Sequence, residues 1–233
     1  MAVLTVSSQV GAGAFEIGRL AAQQLQVDYV DQEILVQAAR ELGVPVESVV
    51  SHDERTASIG ERLAHTLRHF LERSAAAGAT DPMLGGSGLD VLLGRTYSEA
   101  AAESPEEVSD ERYISTLTQV VRDLARHDNV LIIGRGSQVI LQDRPQTIHT
   151  LLVAPLADRI ATIAERNGVS EEDAAKLVHE GDKGRVSFHR KFFKVDVDDP
   201  ALYHLTLNTA RLGAEEAAGL IGDAARRLAD QPA

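Results

Sequence analysis

The chain of 233 residues has no cysteine, no tryptophan and few other aromatic residues, four tyrosines and five phenylalanines. Without cysteine it cannot form a disulfide framework, a thiolate zinc site, an iron–sulfur cluster or a cysteine nucleophile. Too few aromatic rings are present for the stacking platforms of single-strand-binding proteins. A net charge of −12 also argues against wrapping nucleic acid or lying on an anionic membrane.

Long apolar runs are also missing. No stretch approaches the roughly 18 residues that a membrane span requires. The segment Met1–Ser7 lacks the basic start and long apolar core of a secretory signal, so a cytoplasmic protein is expected. The length and the 44% apolar content fit one globular domain over residues 1–233.

Short apolar, β-branched runs alternate with segments of helical period. The first run, Val3–Ser7, is followed by a small-residue loop and then by a helical pattern containing Ile17, Leu20 and Leu25. Further strands are predicted at Val27–Val30, Val130–Ile133, Ile148–Val153 and Tyr203–Leu207. This alternation predicts an α/β fold with a parallel sheet covered on both faces.

Two regions depart from that pattern. Residues from about 51 to 110 mix an amphipathic helix with Ala, Gly, Asp and Pro, and they are interpreted as an insertion. The sequence Ser170-Glu171-Glu172-Asp173 is a capping box that predicts a short acidic helix. The run Asp182–Lys194 that follows carries a local charge of 5 − 1 = +4. It is interpreted as a lid over a nucleotide or, alternatively, as a solvated basic helix face.

The loop Ser8–Ala14 is the strongest local signal. Small residues let backbone N–H groups converge at a helix N-terminus, which favours anion binding, although a simple tight turn would use the same residues. A strict phosphate loop would need lysine at Ala14 and Ser or Thr at Phe15.

Arg135, between two glycines after a buried strand, is either a phosphate ligand or an arginine paired to an acid. His65 and His69 have metal-ligand spacing but no third ligand, so no metal site is predicted.

Six short motifs occur in an order that resembles the cytidylate kinase-like family, relatives of the nucleoside monophosphate kinases. They are S-S-Q-V-G-A-G-A, Y-V-D-Q-E-I-L, I-I-G-R-G-S-Q-V-I-L, A-P-L-A-D-R-I, E-G-D-K-G-R and L-N-T-A-R-L-G. The resemblance implies a phosphate-loop (P-loop NTPase-like) three-layer fold with a five-stranded parallel sheet. It also implies an inserted helical monophosphate-binding region and a lid at about residues 168–196.

The resemblance implies roles for individual residues as well. ATP phosphates would lie on the loop formed by Ser8, Gln9, Val10, Gly11, Ala12, Gly13, Ala14 and Phe15. Asp31 would lie on the monophosphate side, and Arg135 would bind the acceptor phosphate. Lys183 and Arg185 would belong to the lid, Arg190 would assist them, and Asn208–Arg211 would lie near the adenine. The implied ligands are ATP, Mg²⁺ and a cytidylate-like acceptor, with self-association left open.

The chain departs from the family pattern where the family has cations. Ser8, Ala12, Ala14 and Phe15 occupy the corresponding loop positions, and Gly136 replaces the aspartate of true cytidylate kinases. Losing a positioned cation costs phosphoryl transfer roughly three decades in rate unless another group replaces it. Three hypotheses therefore remain: a kinase whose lid cations compensate, a nucleotide-binding module with a regulatory role, and an interaction protein that needs no nucleotide.

Overall fold

The computed structural model describes residues 2–31 and 110–229, and all structural statements below concern these residues. The proposed insertion at 51–110, apart from its last residue, lies outside them, as do His65 and His69. In chain order the elements are β1 (Val3–Ser8), α1 (Ala14–Leu25), β2 (Asp28–Val30), α2 (Asp110–Arg126), β3 (Val130–Ile133), α3 (Ser137–Ile140), β4 (Thr147–Val153), α4 (Leu156–Asn167), α5 (Glu171–Phe192), a 3₁₀ turn (Pro200–Leu202), β5 (Leu205–Asn208) and α6 (Ala214–Ala229).

The five strands form one parallel sheet in the order β2-β3-β1-β4-β5. Strand β1 is central: Val3 is in register with Val130 of β3 on one side and with Thr147 of β4 on the other. The predicted α/β class with a five-stranded parallel sheet is therefore confirmed. Because the strands are parallel, the loops after β1, β2 and β3 all leave the same edge of the sheet.

Helices cover both faces of the sheet. Consecutive side chains of a strand point to opposite faces, so each strand can pack against helices on both sides. Leu4 packs with Ile17 of α1 and Ile221 of α6 in one buried cluster. Val3 packs with Val121 of α2 in the cluster on the other face. The three inner strands β1, β3 and β4 are thus buried on both faces, which favours the apolar runs in their sequences.

Helix α5 is longer than the sequence indicated. A short acidic helix followed by a separate basic run was predicted, but Glu171–Phe192 is a single helix of 22 residues. The predicted cap is present, with the Ser170 side chain accepting a hydrogen bond from the Asp173 amide. None of the described helices is long and apolar enough to cross a membrane.

His149 is a buried titratable group in the middle of the sheet. Its Nδ1 lies 2.8 Å from Thr5 Oγ1, and its backbone amide donates to His204 Nδ1. Burial, assisted by the charge of His204, lowers the pKa of His149 from 6.5 to about 4. The folded protein therefore keeps this imidazole neutral over a range in which the unfolded chain binds a proton.

We expect His149 to make the protein less stable in acid. Its contribution is intact above pH 6.5 and is lost as the pH falls toward 4, because only the unfolded state is protonated in that window. The loss between pH 7 and pH 4.5 should be about 2–3 kcal/mol in the free energy of unfolding. Urea titrations of the wild type and of His149→Gln, each referred to its own value at pH 7, measure it. Parallel pH profiles for the two proteins would contradict the prediction.

Candidate functional site

A cavity of about 100 Å³ lies at the carboxyl edge of the sheet. Its walls come from the loop after β1, from Asp31 after β2, from the turn Gly134–Arg135 after β3, and from helices α4 and α5. The described structure thus brings the glycine-rich loop, Asp31 and Arg135 to one cavity, although they are far apart in the sequence.

The loop after β1 has the backbone conformation of an anion-binding turn. Gly11 and Gly13 both have φ of +84°, and Gly13 is the N-cap residue of α1, which has no side-chain cap. The first amides of a helix have no intrahelical partner, so those of α1 remain available to a ligand. Of the eight loop residues named from the sequence, Ala12 is buried in the core and the others line the cavity.

The turn after β3 places Arg135 at the cavity through an unusual backbone. Gly134, Arg135 and Gly136 have φ of +70°, +59° and +69°, so an arginine occupies a conformation that normally favours glycine. A Cβ on Gly136 would lie 2.3 Å from the ring of Phe193, so that glycine also permits close packing. Such strain is kept where the surrounding structure or the function requires it.

The three α5 cations named from the sequence occupy different surroundings. Arg185 lines the cavity, and its Nη2 donates to Asp198 Oδ1 at 2.5 Å, while its Nε and Nη1 have no hydrogen-bond partner among the described residues. Lys183 and Arg190 are exposed and do not line the cavity. The structure therefore brings one of the three to the site.

Arg166 is a cavity cation that sequence reasoning missed. It lies in the last turn of α4 and lines the cavity with the loop and Arg185. A single arginine on a helix carries no sequence signal, because its neighbours in space come from other elements. Among the described residues, three arginines thus line the cavity: Arg135, Arg166 and Arg185.

His189 forms part of the cavity wall through a buried polar contact. Its Nε2 lies 3.0 Å from Gln138 Nε2, and its Nδ1 lies 2.8 Å from the carbonyl oxygen of Arg185. These partners fix the tautomer that donates from Nδ1 and accepts at Nε2. Burial lowers the pKa of His189, so the ring contributes no positive charge at neutral pH.

Arg159 and Asp182, which sequence reasoning also missed, bind the glycine-rich loop at Val10 without lining the cavity. Arg159 Nη1 donates to Asp182 Oδ2 at 2.6 Å and to the carbonyl oxygen of Val10 at 3.1 Å. Asp182 Oδ1 accepts from the Val10 amide at 3.0 Å. Both residues lie in quoted motifs, but only the fold reveals that these motifs meet.

Comparison with known proteins agrees with this geometry. The model of the Cytidylate kinase-like family matches residues 3–211, which is most of the chain. The chain belongs to the cytidylate kinase-like family. The family resemblance predicted from the motifs is thereby confirmed, and it supports phosphoryl transfer of the nucleoside monophosphate kinase type.

Individual relatives are distant. The chain is 25% identical to a cytidylate kinase from Thermococcus kodakarensis over 53% of its own length and 67% of that protein. It is 33% identical to a cytidylate kinase from Aeropyrum pernix over 45% of its length and 60% of that protein, so the match spans about two thirds or less of these relatives. A solved structure of an uncharacterized protein from Eubacterium ventriosum covers 97% of the chain, and the chain covers 98% of it, with a TM-score of 0.61 and 14% identity. That likeness concerns the fold alone.

Proposed function

We propose that this member of the cytidylate kinase-like family transfers the γ-phosphoryl group of ATP to a nucleoside monophosphate, with cytidylate the first candidate. One observation carries the proposal: the glycine-rich loop, Asp31 and Arg135 line the same cavity. In this assignment the loop binds the donor polyphosphate and the turn at Arg135 binds the acceptor phosphate.

The donor side would rely on backbone amides and on arginines from other elements. Ala14 lies where a phosphate loop carries lysine, and the α1 residues that line the cavity, Ala14 and Phe15, carry no charge. Arg166 and Arg185 line the same cavity and can supply that positive charge. A guanidinium offers phosphate a bidentate fork, and in a partly buried site its charge is weakly screened.

The acceptor side would rely on Arg135 and Asp31. The glycines on both sides of Arg135 let its backbone approach a ligand, and its guanidinium can bind a monophosphate. Asp31 is the one carboxylate among the described residues that line the cavity. Its oxygens fit either a ribose hydroxyl of the acceptor or a water of the Mg²⁺ that the triphosphate carries.

In this proposal catalysis depends on positioning and charge. Phosphoryl transfer needs the two oxygens in line and the developing negative charge neutralised, which the arginines of the cavity can do. Magnesium bound to ATP would add positive charge between the phosphates. The Gln138 contact keeps the neutral His189 in the wall of the cavity, next to the backbone of Arg185.

Two measurements test the proposal. Calorimetry with Mg-ATP and with each of the four common nucleoside monophosphates should show heat for ATP and for at least one acceptor. A coupled assay should then show ADP production with that acceptor well above ATP hydrolysis alone. Absence of heat with every nucleotide would overturn the proposal and favour an interaction protein.

A second candidate follows from the missing lysine at Ala14. A protein that binds nucleotide without turnover needs the loop but no cation on the bridging phosphates. Clear binding, with ADP production at background for every acceptor and unchanged by Arg135→Ala, would favour this nucleotide-binding module.

A further inference from the structure

A partly buried ion pair connects three segments behind the cavity. Arg159 belongs to α4, Asp182 to α5, and Val10 to the glycine-rich loop. The Arg159 and Asp182 side chains are only 8% and 24% exposed, and neither residue lines the cavity. The pair therefore cannot be explained as part of the ligand-binding surface.

Both backbone polar groups of Val10 are bound by this pair. The amide donates to Asp182 Oδ1, and the carbonyl accepts from Arg159 Nη1. Arg159 Nε also donates to the carbonyl of Ala154 at 3.0 Å, which ties the guanidinium to the end of β4. The N–H of Val10 belongs to the peptide before it and the C=O to the peptide after it, so the two hydrogen bonds fix both peptide planes and thereby the direction of the loop that follows.

Two glycines allow the segments to approach this closely. A Cβ on Gly181 would lie 2.7 Å from Val10 Cγ2, and a Cβ on Gly11 would lie 2.6 Å from the Arg159 carbonyl oxygen. Side chains at either position would push α5 or α4 away from the loop. The contact is thus supported by backbone packing as well as by charge.

The Asp182 carboxylate also lies close to Arg185, one of the arginines that line the cavity. Arg185 follows Asp182 by one helical turn, and its Nε lies 4.0 Å from Asp182 Oδ1. Arg185 donates its hydrogen bond to Asp198, and the charge of Asp182 adds a second, longer attraction on the side of α5 where Arg185 lines the cavity.

We propose that Asp182 and Arg159 are positioning residues for phosphoryl transfer: they hold the phosphate loop and Arg185 in one arrangement without touching the nucleotide. This inference rests on the proposed function. Its structural part, a loop held by a partly buried carboxylate on the Val10 amide, can be measured without turnover.

The decisive variant removes both charges at once. Asp182→Leu combined with Arg159→Met leaves no unpaired buried charge, and replacements of this kind usually preserve folding. We expect the variant to fold with a moderately lower melting temperature, because the Val10 amide and carbonyl lose their partners. We also expect exchange of the Val10 amide, followed by NMR, to be at least tenfold faster, and kcat/KM for ATP to fall by about 10- to 100-fold.

Two single variants complete the test. Asp182→Asn keeps an acceptor for the Val10 amide but leaves the Arg159 cation without a carboxylate, so it should lower the melting temperature more than the double variant does. Asp223→Asn is the control: it removes the partner of Arg226 from an exposed ion pair on α6 and should change neither exchange nor activity.

The outcomes separate the two proposals. A folded double variant with wild-type Val10 exchange, or with wild-type kcat and KM for ATP, would overturn the positioning role. If the wild type shows no turnover with any acceptor, the proposed function fails. In that case the exchange rate of Val10 and the affinity for Mg-ATP still decide whether the ion pair holds the loop.

Discussion

Replacing Arg135 with glycine should lower kcat/KM for the acceptor by about 100- to 1,000-fold, the usual effect of removing one group that stabilises transition-state charge. Arg135 lies between Gly134 and Gly136 at the edge of the cavity, so the change removes the guanidinium and leaves the turn intact. ADP production measured over a range of acceptor concentrations gives kcat and KM separately.

Stability should change little in this variant, which separates the catalytic effect from misfolding. Arg135 has φ of +59°, which glycine adopts without strain, and this gain offsets the greater freedom of glycine in the unfolded chain. Arg227→Ala removes an equal charge from an exposed position on α6 and should leave activity unchanged. Equal activity of the Arg135→Gly protein and the wild type would exclude a role of Arg135 in acceptor binding or phosphoryl transfer.

Introducing lysine at Ala14 should strengthen ATP binding and raise kcat/KM for ATP by about tenfold or more. Ala14 is the first residue of α1 and lines the cavity, so a lysine there can reach phosphates bound on the loop. Calorimetry with Mg-ATP and initial rates at varied ATP concentration measure the two effects.

Gln24→Lys provides the matched control, since it adds the same charge to an exposed position on the same helix. It should change neither affinity nor rate beyond the effect of net charge. A fall in ATP affinity for Ala14→Lys would mean that the loop does not align with a phosphate loop as proposed.

The inner strands of the sheet could be predicted because they are buried on both faces. Runs such as Val130–Ile133 contain only apolar β-branched or leucine side chains, and such runs appear in the structure as strands. The fifth strand was placed slightly early, at Tyr203–Leu207 instead of Leu205–Asn208. Tyr203 instead follows the 3₁₀ turn, and its hydroxyl donates to the Val197 carbonyl.

Helix α5 was divided in the sequence interpretation because the charge changes sign along it. In the structure the helix continues through the change of charge. Gly181 lies within it, and the absence of a side chain there lets α5 pack closely against Val10. The continuous helix also explains why Arg185 lines the cavity and Lys183 does not. Lys183 lies about 200° around the helix from Arg185, so the two cannot face the same cavity.

The pairing of Arg159 with Asp182 could not be predicted from the sequence. The two residues are 23 positions apart and lie in separate helices, and ion pairs at that separation have no periodic signature. Arg166 was missed for the same reason. What the sequence does reveal are features whose cause is local, such as the glycine loop and the turn at Arg135.

Helix α5 touches both phosphate-binding turns of the proposed site. Gly181 packs against Val10 of the donor loop, and Phe193, directly after the helix, packs against Gly136 beside Arg135. These contacts are 12 residues apart, or about 18 Å along a helix. The length of the helix therefore sets the distance between the proposed donor and acceptor turns. One residue inserted between Gly181 and Phe193 would rotate Phe193 by about 100° around the helix axis and away from Gly136.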